Sequence, residues 1–64
     1  MKFKLYGIVK LNVDLPIKEL KEGTELRPVE YFDEDETLEA AYICETLDGS
    51  NKFYTILEKY LINI

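Results

Sequence analysis

Sixty-four residues with thirteen carboxylates, eight cations and no histidine give a net charge of −5. A chain of this length makes one small domain, residues 1–64, close to the lower size limit for a self-sustaining core. The missing histidine excludes zinc sites built on imidazole, and the lone cysteine, Cys44, excludes an internal disulfide.

In chain order, Phe3, Leu5, Gly7, Val9, Leu11 and Val13 share one parity, while Lys2, Lys4, Lys10 and Asn12 share the other. This period of two predicts a half-buried strand. Tyr6 and Ile8 interrupt the polar side, which predicts cover on both faces there. Gly7 marks a bulge or a close backbone approach. The same segment has the charges of a signal peptide but lacks an unbroken apolar region. No stretch approaches the roughly 20 apolar residues that span a bilayer, so no membrane partner is expected. A lone thiol fits a reducing compartment, and a cytoplasmic protein is expected.

Asp14-Leu15-Pro16 ends the first strand, because proline fixes its own φ and restricts its predecessor. Ile17 to Glu22 predicts a short connection with a single helical turn, and Glu22-Gly23-Thr24 a turn. Leu26 to Phe32 predicts a second strand, demoted by Pro28 to an edge position or a bulge. Asp33-Glu34-Asp35-Glu36 forms a polar tip.

The C-terminal half supports two readings. Asp48-Gly49 is a strong turn signal between the apolar runs Glu39–Leu47 and Lys52–Leu57, which makes both runs strands. Yet Phe53, Ile56, Leu57, Tyr60, Leu61 and Ile64 also fall on one helical stripe. Asp35 is likewise placed to cap a helix through Leu38, Ala41, Tyr42 and Glu45. Periodicity leaves the two open.

Chemistry is sparse. Asp33, Asp35, Thr37 and Glu39 have the alternating spacing of a calcium loop. The glycine and glutamate that such a loop requires at its sixth and twelfth positions are here Leu38 and Cys44. Neither a metal nor a cofactor is therefore expected. Cys44 has no histidine base and Glu45 beside it, so it reads as a small buried apolar residue. Ser50 lies in a turn without a candidate base. The three glycines are too far apart to cradle a phosphate. No catalytic residues emerge, and the chain is expected not to be an enzyme.

Val9-Lys10-Leu11-Asn12-Val13-Asp14-Leu15-Pro16, then Leu20, Gly23-Thr24, Glu39-Ala40-Ala41-Tyr42, Asp48-Gly49, Leu57 and Leu61 carry a resemblance over nearly the whole chain. They resemble a family of small bacterial proteins classed as a domain of unknown function. The resemblance implies an all-β fold, a small SH3-like five-stranded β-barrel. The alternative fold is α+β, an N-terminal strand with a C-terminal amphipathic helix. Where the family has a second glycine and a valine pair, this chain reads Glu25-Leu26-Arg27-Pro28-Val29, which predicts a distorted second strand. Some members are encoded beside candidate toxin genes, which implies an antitoxin or immunity role.

The leading expectation is thus a protein-binding module with a basic partner. Its contact surface comprises Glu30, Asp33, Glu34, Asp35, Glu36 and Glu39, with Tyr31 and Phe32 as aromatic anchors. A second reading is nucleic-acid binding through Lys2, Lys4 and Lys10, disfavoured because the acidic chain repels a polyanion. A third is a homo-oligomer joined through edge strands.

Overall fold

The computed structural model describes residues 1–64 and is all-β. Five strands form one antiparallel sheet: β1 (Val9–Leu11), β2 (Glu25–Phe32), β3 (Ala41–Thr46), β4 (Phe53–Leu57) and β5 (Leu61–Asn63). The strand order is β4-β3-β2-β1-β5, so successive strands from β1 to β4 are neighbours and β5 returns beside β1. β4 and β5 are the two edges and do not pair with each other, which leaves the sheet open.

The amphipathic helix of the alternative reading does not form. Its stripe is divided among β4, a single 3-10 turn at Glu58–Tyr60, and β5. Ile56 and Leu61 are buried, whereas Phe53 and Ile64, which a helix would have turned to the same face, are exposed. Phe53, Tyr54, Thr55 and Ile56 lose side-chain freedom in a helix and fit a pleated surface. A twelve-residue helix is marginal by itself, whereas pairing with β3 supplies hydrogen bonds and burial together. Asp35 does cap a turn: its Oδ1 accepts the N–H groups of Thr37 and Leu38, each at 2.8 Å. The chain then enters β3 instead of a helix.

The first strand is shorter than its alternation predicts. Odd-numbered residues from Phe3 to Val13 are buried or half-buried, but the ladder covers only Val9–Leu11. Tyr6, at φ 67, turns the chain before it, a conformation that is unusual for a bulky residue. Tyr6 and Ile8 are exposed and are not covered on both faces. Gly7 is a close backbone approach, since a Cβ there would stand 3.3 Å from the Lys4 carbonyl oxygen.

Pro28 lies in β2, an inner strand, and the sheet accommodates it in two ways. A bulge shifts the β2–β3 register between Pro28 and Glu30. β1 pairs with β2 only at Val9–Leu26 and Lys10–Glu25, so no ladder needs the N–H that proline lacks. The Pro28 carbonyl accepts the Tyr6 N–H at 2.7 Å. Between β1 and β2, the 3-10 turn Pro16–Lys18 is closed by reciprocal backbone hydrogen bonds between Leu15 and Leu20.

Phe3, Val9, Leu11, Leu20, Leu26, Tyr42, Cys44, Ile56 and Leu61 form the core. Tyr42 is central. Its ring meets Phe3 edge-on with centroids 5.7 Å apart, and Tyr31 lies 4.9 Å from its other side. No buried side-chain polar atom lacks a partner.

Candidate protein-binding surface

Strand alternation sorts the anticipated contact residues onto different faces. Tyr31 is in register with Tyr42 and Ile56 and faces the core. Its hydroxyl donates to Asp33 Oδ1 at 3.1 Å. Desolvation, then the Asp33 hydrogen bond and charge, push that phenol up to about 12. Phe32 points the opposite way. It is in register with Ala41 and Leu57 on the outer face and is 45% exposed. Glu30 stands on that outer face, in register with Ile43 and Thr55. The structure therefore brings Glu30 and Phe32 together and holds Tyr31 behind the sheet.

Asp33, Glu34, Asp35, Glu36 and Glu39 lie in the exposed β2–β3 connection. Asp33 and Asp35 are engaged locally. Asp33 Oδ1 accepts the Glu34 N–H at 2.9 Å, and the Asp35 carboxyl is held below its usual range by the Thr37 N–H, the Leu38 N–H and the Thr37 hydroxyl. Glu39 pairs with Lys59 at 3.1 Å, and this contact raises the Lys59 ammonium pKa. The Glu30, Glu34 and Glu36 carboxylates make no hydrogen bond or ion pair within the chain. These carboxylates do not converge into a metal-ligating group.

Sequence reasoning missed the apolar part of the surface. Phe53, Thr55 and Leu57 occupy the outer face of β4, and Ile43 lies beside them on β3. Phe53 is 58% exposed. The period of two within Phe53–Leu57 would have revealed them once β4 was read as a strand. Glu45 lies on the same face, where Arg27 approaches it at 3.6 Å. Between residues 28 and 51 there are eight carboxylates and no cation, so that stretch carries −8 and the remainder of the chain +3.

A cleft of about 180 Å³, lined by Glu34, Glu39, Ala40, Glu58 and Lys59, separates the acidic loop from the second 3-10 turn. A wider one of about 520 Å³ lies between the β1–β2 connection and the β3–β4 turn, with Leu20 and Tyr54 in its wall. Cys44 is buried, and burial pushes its thiol up to about 12. The Ser50 hydroxyl is 2.8 Å from that of Thr46. No helix is long and apolar enough to cross a membrane. No family model matches the chain, and no curated protein or solved structure matches it.

Proposed function

We propose that this chain is a non-catalytic protein-binding module, an acidic antitoxin or immunity-type protein that binds a basic partner. The observation that carries the reading is the segregation of charge. Eight carboxylates without a cation occupy residues 28–51, and those from Glu30 to Glu39 flank the outward-facing Phe32. An aromatic anchor within a charged rim is a common form of protein interface. The same reading takes the fold as an open variant of the SH3-like barrel. It is supported by the strand order, the long β1–β2 connection, the bulged β2 and the 3-10 turn before β5. It also places the chain in the cytoplasm, where a lone thiol stays reduced.

The test compares affinity capture from nuclease-treated lysate of the source organism by the native chain and by Glu30→Lys/Glu34→Lys/Glu36→Lys. These three exposed side chains make no hydrogen bond or ion pair, so their reversal should leave the fold intact by circular dichroism. One near-stoichiometric basic protein that is captured by the native chain and lost by the variant is the expected result. Undiminished capture by the variant removes the acidic surface from the proposal. Recovery of nucleic acid when nuclease is omitted, abolished by Lys2→Glu/Lys4→Glu/Lys10→Glu, would instead establish the nucleic-acid reading.

A further inference from the structure

The outward edge of β4 is a second feature of the acidic side. The Thr46 N–H donates to the Lys52 carbonyl at 3.1 Å, and the Glu58 N–H donates to the Ala40 carbonyl at 2.8 Å. These two bonds bracket the β3–β4 ladder. Antiparallel alternation between them makes Cys44–Tyr54 and Tyr42–Ile56 the hydrogen-bonded pairs. The backbone N–H and C=O groups of Phe53, Thr55 and Leu57 then all point away from β3. The Leu57 carbonyl begins the Glu58–Tyr60 3-10 turn; the Leu57 N–H and both groups of Phe53 and Thr55 have no partner within the chain.

Edge strands are usually blunted by an inward charge, a proline, a bulge or short length. β4 has none of these: it reads Phe-Tyr-Thr-Ile-Leu and pairs in continuous register. The opposite edge, β5, is only three residues long, and the Leu61 N–H is already taken by the Glu58 carbonyl.

We propose that the open β4 edge accepts an extended strand from a basic partner, with apolar residues seated beside Phe53 and Leu57 and lysine or arginine at both ends. This rests on the acidic-surface reading above. Charge selects the occupant. One end of β4 borders the Asp33–Glu39 loop, and the other borders the turn that carries Asp48. A second copy paired antiparallel through β4 would set the acidic loop of each molecule against the Asp48 turn of the other, on chains that each carry −5. A strand with cationic ends meets opposite charge at both places. Of the nearby cations, Lys59 is taken by Glu39, which leaves Lys52 alone.

The probe is the peptide Lys-Lys-Val-Thr-Val-Thr-Val-Lys-Lys, titrated into the native chain at low salt and followed by amide NMR and hydrogen exchange. The expected result is slowed exchange at the Phe53, Thr55 and Leu57 amides. Methylation of the peptide nitrogens that face β4 should weaken binding about tenfold, because each methyl removes a backbone hydrogen bond. Thr55→Pro removes an outward N–H without touching the β3–β4 ladder and should weaken binding similarly. The methylated peptide gives the same information if that variant fails to fold. Perturbation confined to residues 33–39, with β4 exchange unchanged, overturns strand addition and leaves the acidic surface standing. Equal binding of a peptide with glutamate in place of lysine overturns the choice of a basic occupant. Protection of β4 in the protein alone, lost on dilution, assigns the edge to a second copy and overturns the proposal, as does the absence of any perturbation at millimolar peptide.

Discussion

The Tyr42 hydroxyl donates to Glu58 Oε2 at 2.7 Å and ties the start of the chain to its end. The same phenolic oxygen accepts the backbone N–H groups of Lys2 at 3.0 Å and Phe3 at 2.9 Å, and Glu58 Oε2 accepts Lys2 as well, at 3.1 Å. Residues 1–7 lie outside the sheet ladders, so this junction, the buried Phe3 ring and the Tyr6–Pro28 backbone hydrogen bond hold them in place. The phenol pKa is raised, first by desolvation.

Tyr42→Phe keeps the ring packing but strands the buried Phe3 N–H. The expected cost is about 1–3 kcal/mol, the range for an unsatisfied buried donor. Glu58→Ala leaves the phenolic oxygen able to accept and should cost less, about 1 kcal/mol. Urea denaturation of both variants checks the order. Equal, negligible effects would show that the junction does not stabilise the fold.

Cys44 makes stability fall at high pH. Its folded pKa, about 12, lies above the ordinary thiol value of about 8.5, so its contribution is complete below about 8.5 and is lost as pH rises towards 12. Cys44→Ala should remove that part of the decline, measured between pH 8 and 11 against the native chain. Thiol labelling at pH 8 should be on the order of a hundredfold or more slower in the folded chain than in urea. Rapid labelling of the folded chain would contradict the burial.

Asp35 and Asp48 should titrate below the ordinary aspartate value of about 3.9. Asp35 is lowered first by the Thr37 N–H, and Asp48 first by the Ser50 hydroxyl. With folded values depressed, their stabilising effect is present above the unfolded value of about 3.9 and is lost as pH falls through the folded midpoints. Carbon-13 NMR of the side-chain carboxyls reads each midpoint. Values at or above about 3.9 would show that the two turns are not formed as described.

Backbone conformation predicts opposite signs at three turn positions. Gly23 and Gly49 have φ of +88° and +82°, and alanine at either should cost about 1–2 kcal/mol. Glu19 adopts φ 58 at the end of the first 3-10 turn without a side-chain hydrogen bond there, so Glu19→Gly should be neutral or stabilising by up to about 1 kcal/mol. Thermal melts separate the two classes. Destabilisation by Glu19→Gly equal to that of the alanine variants would contradict the assigned φ values.

Much was legible wherever the signal is local. The parity of Phe3 to Val13 marks the buried and half-buried residues correctly; strand alternation accounts for Val9 and Leu11, while before them the chain turns at Tyr6. Pro28 announces the bulge because proline fixes its φ and lacks an N–H, and Asp48-Gly49 announces the β3–β4 turn because glycine takes a positive φ without strain. The acidic tip and the cation-free stretch are also plain in the sequence.

What the sequence alone determined, then, was the turns at Pro16, Gly23 and Asp48-Gly49, the inward parity, the charge segregation and the absence of a histidine or disulfide framework. Tertiary structure decided between helix and strand for Phe53 to Ile64, because that stripe satisfies both periods and only pairing with β3 favours one. It also decided that Tyr31, and not Phe32, faces the core, joined Tyr42 to Glu58 and Lys2, and left β4 at an edge. Each of these depends on residues far apart in sequence, and composition carries no register between distant strands.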